Sequence, residues 1–261
     1  MTKSVLVTGG ALRLGAQICT QFANAGWEVW CHYQNSERAA QHLCETLTAQ
    51  GLRARPVQAD LADPLQRQSM MEKIVQTSGA LHCLVNNASS FEPDTADQFD
   101  SASARAQLEV NLIAPMELSA LMARSLPDND RSGIRSILHV LDQKVFNLNP
   151  SYFSYTVTKL ALERAVALQA QALAPGLRVC GVAPGLMYLS GPQSQENFER
   201  AAHINLMRRA TDPAQVAASC LFLAENPCIT GVTLTVDNGQ HLIPLPKDVM
   251  YVIEDLVKAT P

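Results

Sequence analysis

The stretch SVLVTGGALRLGAQICTQFANAG, residues 4–26, decides the fold of this chain. A short apolar run at 4–7 leads into a glycine-rich turn, Thr8 to Gly15, and then into a segment of helical composition. A turn of this kind between a strand and a helix lets the backbone approach a pyrophosphate, whose charge is met by the N–H groups and dipole of the helix start. The turn alone is weak evidence, so its meaning depends on the rest of the chain.

Further apolar runs alternate with longer helical segments along the sequence. They are residues 27–33, 53–59, 81–87, 134–141, 177–183 and 232–236. Asp63 followed by Pro64 is typical of a capped helix start. Strands that are apolar on both faces and alternate with helices indicate a parallel sheet covered on both sides. We therefore predict a doubly wound α/β Rossmann fold, with a seven-stranded parallel sheet flanked by helices on both faces, in one domain spanning 1–261.

Composition narrows the class of protein. The 261 residues are 47% hydrophobic and carry a net charge of −4 without a run of five like charges, which argues against nucleic-acid and anionic-membrane partners. Seven scattered cysteines, never spaced as C-x-x-C, indicate free thiols in a reducing compartment and no metal site. With no signal peptide and no apolar run near ~20 residues, we expect a cytoplasmic protein.

The end of the second apolar run, CHYQNSER (31–38), bears on cofactor choice. Dinucleotide folds that prefer NADH carry an acidic residue here, which binds the ribose and repels a 2′-phosphate. In this chain no acid precedes Glu37, and nearby side chains can donate hydrogen bonds: His32, Tyr33, Asn35, Ser36 and Arg13. We predict NADPH as the cofactor, with the Arg13 guanidinium near a phosphate. The alternative is that His32 and Tyr33 merely end a strand.

The third run ends in QADL, which places Asp60 and Leu61 at another carboxyl end of the same sheet. We expect Asp60 to face the adenine amino group and Leu61 the ring edge. Asp60 as a cap for the following helix is the alternative.

Two tyrosines lie close together in LDQKVFNLNPSYFSYTVTK, residues 141–159. Tyr155 and Lys159 are four residues apart in a helical pattern, so their side chains share one helix face. A nearby ammonium lowers the pKa of a phenol, which makes Tyr155 a usable general acid. Tyr152 has Thr156, not a cation, at the same spacing, so we expect Tyr152 to line a pocket.

Five motifs in order resemble the short-chain dehydrogenase/reductase family over nearly the whole chain. They are TGxxxxxG after the first run, NNA (86–88), the Asn111 of VNLIAP, Y-x-x-x-K, and APG (183–185). The resemblance implies a homotetramer or homodimer in which Tyr155 donates a proton, Lys159 holds the nicotinamide ribose, and Asn111 helps to hold a relay water. It also implies further cofactor contacts: Gly9, Leu14, Gly15, Asn87, Ala88, Ser89, Pro184 and Gly185.

Most family members have a serine thirteen residues before the tyrosine, where this chain has Asp142. Together with Arg13, HYQNS and NNASSF (86–91), the aspartate resembles the pteridine reductase branch and its dihydromonapterin reductase relatives. There the carboxyl belongs to the proton path to a ring nitrogen, and the phenylalanine, here Phe91, stacks on the pterin. Phe91 as a buried loop anchor is the alternative. The remaining substrate contacts expected are Ser89, Tyr152, Leu186 and Met187, the last where some pteridine reductases have serine.

We therefore expect NADPH-dependent reduction of a pterin of the dihydromonapterin, dihydrobiopterin or dihydrofolate type to its tetrahydro form. Two alternatives are a carbonyl reductase of the same family, acting on a 3-oxoacyl thioester or small ketone, and a non-catalytic NADP-sensing regulator. Residues 186–209 read as a substrate lid, and 243–261 as a tail of unassigned role. The weakly charged helix 160–174 is expected to form an oligomer interface.

Overall fold

The computed structural model describes residues 2–126, 134–190 and 193–258, with side chains described up to residue 255. Its centre is a seven-stranded, wholly parallel sheet with the order β3-β2-β1-β4-β5-β6-β7. The strands are β1 (Ser4–Val7), β2 (Glu28–Tyr33), β3 (Arg53–Gln58), β4 (Cys83–Asn86), β5 (Arg135–Val140), β6 (Leu177–Pro184) and β7 (Thr233–Val236). The predicted doubly wound fold is confirmed, and each strand falls on its predicted run to within two residues.

Helices cover both faces of this sheet. They are α1 (Arg13–Asn24), α2 (Glu37–Ala49), α3 (Pro64–Ser78), α4 (Ser101–Leu108), α5 (Ala114–Arg124), α6 (Phe153–Leu173), α7 (Gln195–Ala202), α8 (Pro213–Glu225) and α9 (Val249–Lys258). Alternate strand residues serve opposite cores: Val5 packs with α1 and α8, whereas Leu6 packs with α3, α5 and α6. This two-sided burial explains why the strands read as continuous apolar runs.

The order of the strands reverses at β1, which lies between β2 and β4. Loops leaving β1 and β4 therefore turn to opposite sides and leave a crevice at the carboxyl edge of the sheet. Thr8, just after β1, ties the two loops together, because its hydroxyl oxygen accepts the N–H groups of Asn87 at 2.9 Å and Ala88 at 3.0 Å. Specific hydrogen bonds thus fix the two loops relative to each other at the base of the crevice.

Local signals explain where the helices begin. Helix α3 begins at Pro64, and the Asp63 carboxylate accepts the Leu65 N–H at 2.9 Å, as the Asp-Pro pair predicts. Between α4 and α5 lies a five-residue π-helix, Glu109–Ile113, which buries Asn111. Such insertions are rare and often mark functional sites.

Within the described residues, every helix is too short or too polar to traverse a lipid bilayer. All seven cysteines are free thiols, as predicted, and all but Cys228 are buried.

Candidate active site

A cavity of about 600 Å³ opens at the carboxyl edge of the sheet. Every residue predicted to contact cofactor or substrate lines it, and so do Asp142, Tyr155 and Lys159. Asn111 is the one predicted site residue that lies behind the wall. The fold therefore brings together predicted residues that are as much as 178 positions apart in the chain, from Gly9 to Met187.

The glycine-rich turn forms one end of the cavity. Gly9 adopts a left-handed conformation with φ of +59°, and a Cβ on Gly15 would lie 2.0 Å from the Gly9 carbonyl oxygen. The Asn87 amide donates to the carbonyl oxygens of Thr8 at 2.9 Å and Gly9 at 3.1 Å, which fixes the turn to the loop after β4. A bare backbone packed this closely beside the start of α1 suits a pyrophosphate.

His32 lies on the cavity wall, but the prediction that it donates a hydrogen bond to a cofactor phosphate is wrong. Its Nδ1 accepts the Gly9 N–H at 3.0 Å, so the proton is on Nε2, which donates to the Ala59 carbonyl at 3.1 Å. Burial lowers its pKa to about 4, so the ring stays neutral. Both ring nitrogens therefore have hydrogen-bond partners within the protein, and His32 positions the glycine turn through Gly9.

Arg13 lies at the first position of α1, with a left-handed φ of 50°. Its guanidinium donates to the Leu189 carbonyl at 2.8 Å and lies 4.9 Å from the centre of the Tyr188 ring. Arg13 thus joins the glycine turn to the start of the predicted lid. The lid itself includes helix α7, and residues 191–192 of it lie outside the described residues, as do 259–261 of the tail.

Tyr33, Asn35 and Ser36 line the far end of the cavity, next to the end of β2. Glu37 instead begins α2 and accepts a hydrogen bond from Gln41 at 3.1 Å. Asp60 also lines the cavity, and the alternative that it caps a helix is wrong because Asp63 has that role. This end therefore presents hydroxyl, amide and phenol groups where a 2′-phosphate would lie.

Asp142 and Tyr155 form a hydrogen-bonded pair at the other end of the cavity. The Tyr155 hydroxyl donates to Asp142 Oδ2 at 3.0 Å, and Oδ1 of the same carboxylate accepts the Lys144 N–H at 2.9 Å. Both side chains are turned inward, with Tyr155 only 6% exposed. The thirteen-residue spacing in the sequence therefore corresponds to a direct contact.

The pKa values of this pair differ from the sequence-based expectation. Burial raises the pKa of the Asp142 carboxyl, although its hydrogen bonds and Lys144 oppose the shift. Burial and the neighbouring Asp142 charge together raise the pKa of Tyr155 well above its ordinary value. The prediction of a lowered Tyr155 pKa is thus wrong for the free protein, because burial and the adjacent Asp142 carboxylate both disfavour the phenolate.

Lys159 lies one helical turn beyond Tyr155, as predicted. Its Nζ donates to the Val140 carbonyl at 2.8 Å and lies 5.7 Å from the centre of the Tyr155 ring. Burial lowers its pKa to about 8, and Asp142 opposes the shift. One N–H of the ammonium donates to the Val140 carbonyl, and the ammonium has further N–H groups that could donate to a ligand in the cavity.

Asn111 lies behind the cavity wall, and its side chain is held by hydrogen bonds within the protein. The residue is 1% exposed; its amide donates to Ser90 O at 2.8 Å and to Thr158 Oγ1 at 3.1 Å. Its Oδ1 accepts the Ser90 N–H at 2.8 Å and the Ser89 hydroxyl at 3.2 Å. Both polar atoms of this side chain have partners, so the Asn111 side chain positions the segment between β4 and Phe91.

Phe91 is 36% exposed and forms part of an aromatic row, which makes the buried-anchor alternative wrong. Its ring stacks on Tyr152 with centroids 4.1 Å apart and meets Tyr155 edge-on at 4.6 Å. Tyr152 in turn stacks on Tyr251 of α9 at 6.2 Å. A flat ligand beside Tyr155 would meet this aromatic wall.

Sequence reasoning missed several residues that line the cavity. Lys144 comes from the loop after β5, and Asp248, Val249 and Met250 come from the start of α9. The amphipathic run VMYVIEDLVK (249–258) signals a helix, yet nothing in it indicates which surface that helix covers.

Comparison with known proteins places these features in context. Residues 10–241 match the model of the family described as enoyl-(acyl carrier protein) reductase. Pteridine reductase 1 of Leishmania tarentolae is 31% identical over 280 residues, which cover 91% of this chain and 96% of the relative. The 3-oxoacyl-[acyl-carrier-protein] reductase FabG of Staphylococcus aureus is 27% identical over 247 residues, covering 93% and 99%.

A solved structure is also similar over nearly the whole chain. FolM alternative dihydrofolate reductase 1 from Brucella canis, complexed with NADP, superposes with a TM-score of 0.88 at 34% identity. The match covers 94% of this chain and 96% of the solved one.

Proposed function

The chain belongs to the short-chain dehydrogenase/reductase family, and on that premise we propose that this oxidoreductase uses NADPH to reduce a dihydropterin to its tetrahydro form. The substrate class comprises pterins of the monapterin, biopterin and folate types. Pteridine reductase 1 and the FolM structure, two of its similar proteins, support this class.

The observation that carries the proposal is the 3.0 Å hydrogen bond from Tyr155 to Asp142. A serine at position 142 would offer a hydroxyl to orient a carbonyl oxygen. A carboxyl can instead take up and release a proton, which reduction at a ring nitrogen requires. The raised pKa of Asp142 moves that exchange toward neutral pH.

The cavity suits NADPH as cofactor. The glycine turn and the start of α1 fit the pyrophosphate, and Lys159 fits the nicotinamide ribose. The end of β2 offers Tyr33, Asn35 and Ser36 to a 2′-phosphate, with no carboxylate among them to repel it. NADP in the similar FolM structure supports this assignment.

NADPH held in this cavity would supply a hydride for the carbon of the substrate C=N bond. Tyr155 gives its hydroxyl proton to the adjoining ring nitrogen. A protonated Asp142, which then donates across the same 3.0 Å contact, passes its own proton to the Tyr155 oxygen. This order matches the pKa values, because a neutral Asp142 no longer opposes ionisation of Tyr155. Lys159 adds a positive charge beside the phenol ring.

Phe91 and Tyr152 would hold the flat pterin ring at near-contact distance from the cofactor. Alignment of two rings is a large part of what an enzyme contributes to hydride transfer. Ser89, Leu186 and Met187 line the same cavity. We assign them to the substrate's edge.

The decisive experiment measures oxidation of NADPH with dihydromonapterin, dihydrobiopterin, dihydrofolate and an acetoacetyl thioester side by side. We expect turnover of pterins and much slower turnover of the thioester. Turnover of the thioester alone would contradict the proposal and indicate a 3-oxoacyl reductase. Tight binding of NADPH without turnover of any substrate would indicate the non-catalytic alternative.

A further inference from the structure

The tail after β7 is hydrogen-bonded to the loop that spans residues 142–152. The Asp248 N–H donates to Ser151 Oγ at 3.0 Å, and the Asp248 carboxylate lies 3.6 Å from Lys144 Nζ. Earlier in the tail, the Asn147 amide donates to the Ile243 carbonyl at 2.8 Å. Two of these contacts meet at the start of α9, so Asp248 is where the helix attaches to the loop.

Lys144 is a buried cation that the proposed chemistry does not use. It is 3% exposed, and its Nζ donates to the Ser151 carbonyl at 2.8 Å and lies 5.4 Å from the centre of the Tyr152 ring. A buried charge is costly unless it is paired, and Asp248 provides the opposite charge. The Lys144 backbone N–H also donates to the Asp142 carboxylate. Lys144 therefore contacts both the tail and the hydrogen-bonded pair of Asp142 and Tyr155.

Met250, two residues after Asp248, lies on the side of the cavity that holds Tyr155. It is 2% exposed, packs with Tyr152 and Tyr155, and lines the cavity wall. Its carbonyl accepts the Asn197 amide at 3.0 Å, which joins α9 to α7. A flexible thioether at this place fills space next to the reacting groups.

We propose that the start of α9 is a wall of the substrate pocket, in which Met250 limits the bulk of the group the substrate carries and the Asp248–Lys144 ion pair holds the wall in place. The inference rests on the proposed function for its choice of substrates. Met250 determines specificity by contact, and Asp248 is a positioning residue.

The size limit is tested with Met250→Ala and, as a matched control, Met250→Leu. For each we measure kcat/KM for dihydromonapterin, with its short side chain, and for dihydrofolate, with its long one. We expect Met250→Ala to raise the ratio of dihydrofolate to dihydromonapterin efficiency about tenfold, the scale that small changes of pocket volume produce. Met250→Leu should keep the wild-type ratio. An unchanged ratio in a folded Met250→Ala variant overturns the assignment.

The ion pair is tested with Asp248→Asn, against Asp255→Asn on the exposed side of the same helix. Both changes remove one negative charge and break one ion pair, since the exposed Asp255 carboxylate pairs with Lys247. We expect Asp248→Asn to raise KM for the pterin about fivefold, because the wall moves, and to change kcat less, because the Asp248 charge also acts on the Asp142–Tyr155 pair. NADPH affinity should stay nearly unchanged, because the cofactor end does not move. Asp255→Asn should leave all three constants as they are. Equal constants for Asp248→Asn and wild type would refute the ion-pair role.

If Asp248→Asn does not fold, Lys144→Gln breaks the same pair from the loop side. It must give the same rise in pterin KM for the proposal to stand. If the wild-type enzyme reduces only the thioester, the pterin assignment fails. The wall is then tested with thioesters of two chain lengths, and Met250→Ala must favour the longer one.

Discussion

Asp142 changes what the tyrosine beside it can do. In the structure its carboxylate accepts a hydrogen bond from the Tyr155 hydroxyl at 3.0 Å, and once protonated the same carboxyl can donate to the Tyr155 oxygen across that contact. The position was identified from its spacing to Tyr155. The direction of the Tyr155 pKa was not, because burial depends on how α6, the loop after β5 and α9 close around the hydroxyl.

Asp142→Ser restores the residue typical of the wider family and should depress pterin reduction. General acid–base groups commonly contribute about a hundredfold or more, so we expect kcat to fall on that scale. NADPH affinity, measured by fluorescence titration, should stay unchanged because Asp142 is remote from the glycine turn. A Ser variant that turns over pterin like wild type would remove the carboxyl from the proton path.

Asp142→Asn should raise stability while it lowers activity. Burial raises the pKa of Asp142 in the folded state, so the stability this group contributes is complete below the unfolded value, about 3.9, and is lost as pH rises through the folded value. Asparagine does not ionise, so the Asp142→Asn variant does not lose this stability as pH rises. We expect its Tm to exceed that of wild type by an amount that grows with rising pH and then levels off. A constant difference from about pH 4 to 8 would contradict the shift.

At the scale of elements, the π-helix 109–113 shows what sequence patterns miss. VNLIAP reads as ordinary helix, and nothing in it reveals the extra residue per turn that turns Asn111 inward. Arg67 of α3 braces this segment, because its buried guanidinium pairs with Glu109 at 2.7 Å and also with Glu117. The predicted helix start at Asp63 places Arg67 on its first turns, but its partners depend on packing across α3 and α5.

Arg67→Met should destabilise the fold and loosen the Asn111 segment. Breaking a fully buried ion pair costs about 3–5 kcal/mol; here we expect on the order of 2 kcal/mol, because the two glutamates are one-third exposed and can be hydrated. Chemical denaturation measures the loss. Arg55→Met, which removes a surface pair with Glu28, should cost less than about 1 kcal/mol. Equal losses for both variants would exclude the bracing role.

Helix α9 marks the other limit of prediction at this scale. Its amphipathic pattern is plain in the sequence, and the lid that it contacts was anticipated as a segment. Which cavity α9 covers follows from contacts such as Asp248 to Ser151, 97 residues apart, which no local pattern encodes.

At the scale of the whole molecule, the order of the motifs was enough to predict the sheet and the residues that line the cavity. Each parallel strand ends at the same edge, so residues that follow strands must meet there. The position of His32 at the end of β2 was predicted correctly, but its role as a donor to the cofactor was not. Its ring is hydrogen-bonded to Gly9 and Ala59, and strand order alone does not determine the direction of a side chain.

Acid should destabilise the protein through its buried histidines. Burial lowers the pKa of His139 to about 4, and its ring is held neutral between Asn86 and Gln169. Since the unfolded value is about 6.5, stability falls as pH drops from about 6.5 to about 4, by roughly 2 to 3 kcal/mol for this residue. His139→Gln should show a shallower loss over that range in denaturation curves. Parallel curves for variant and wild type would contradict this account.

We propose a homo-oligomer, as the family resemblance implies, with α6 at the interface. Leu168 is 66% exposed and Val157 43% exposed on this weakly charged helix. Leu168→Lys should therefore yield a smaller species in light scattering while the chain stays folded. Leu65→Lys, at a residue 73% exposed on α3, should not change the size. A wild-type chain that is monomeric at micromolar concentration would refute the proposal.

Helix α9 follows every strand in the order of synthesis, yet it walls a pocket whose other parts come earlier in the chain. A ribosome therefore delivers the glycine turn, Asp142, Tyr155 and Lys159 before it delivers Met250. A nascent or clipped chain ending after β7 would already hold the groups that move a hydride and a proton. What it would lack is the wall proposed here for Met250 and the cover that this residue gives to Tyr152 and Tyr155, so the last helix would complete the pocket after its reactive groups are already in place.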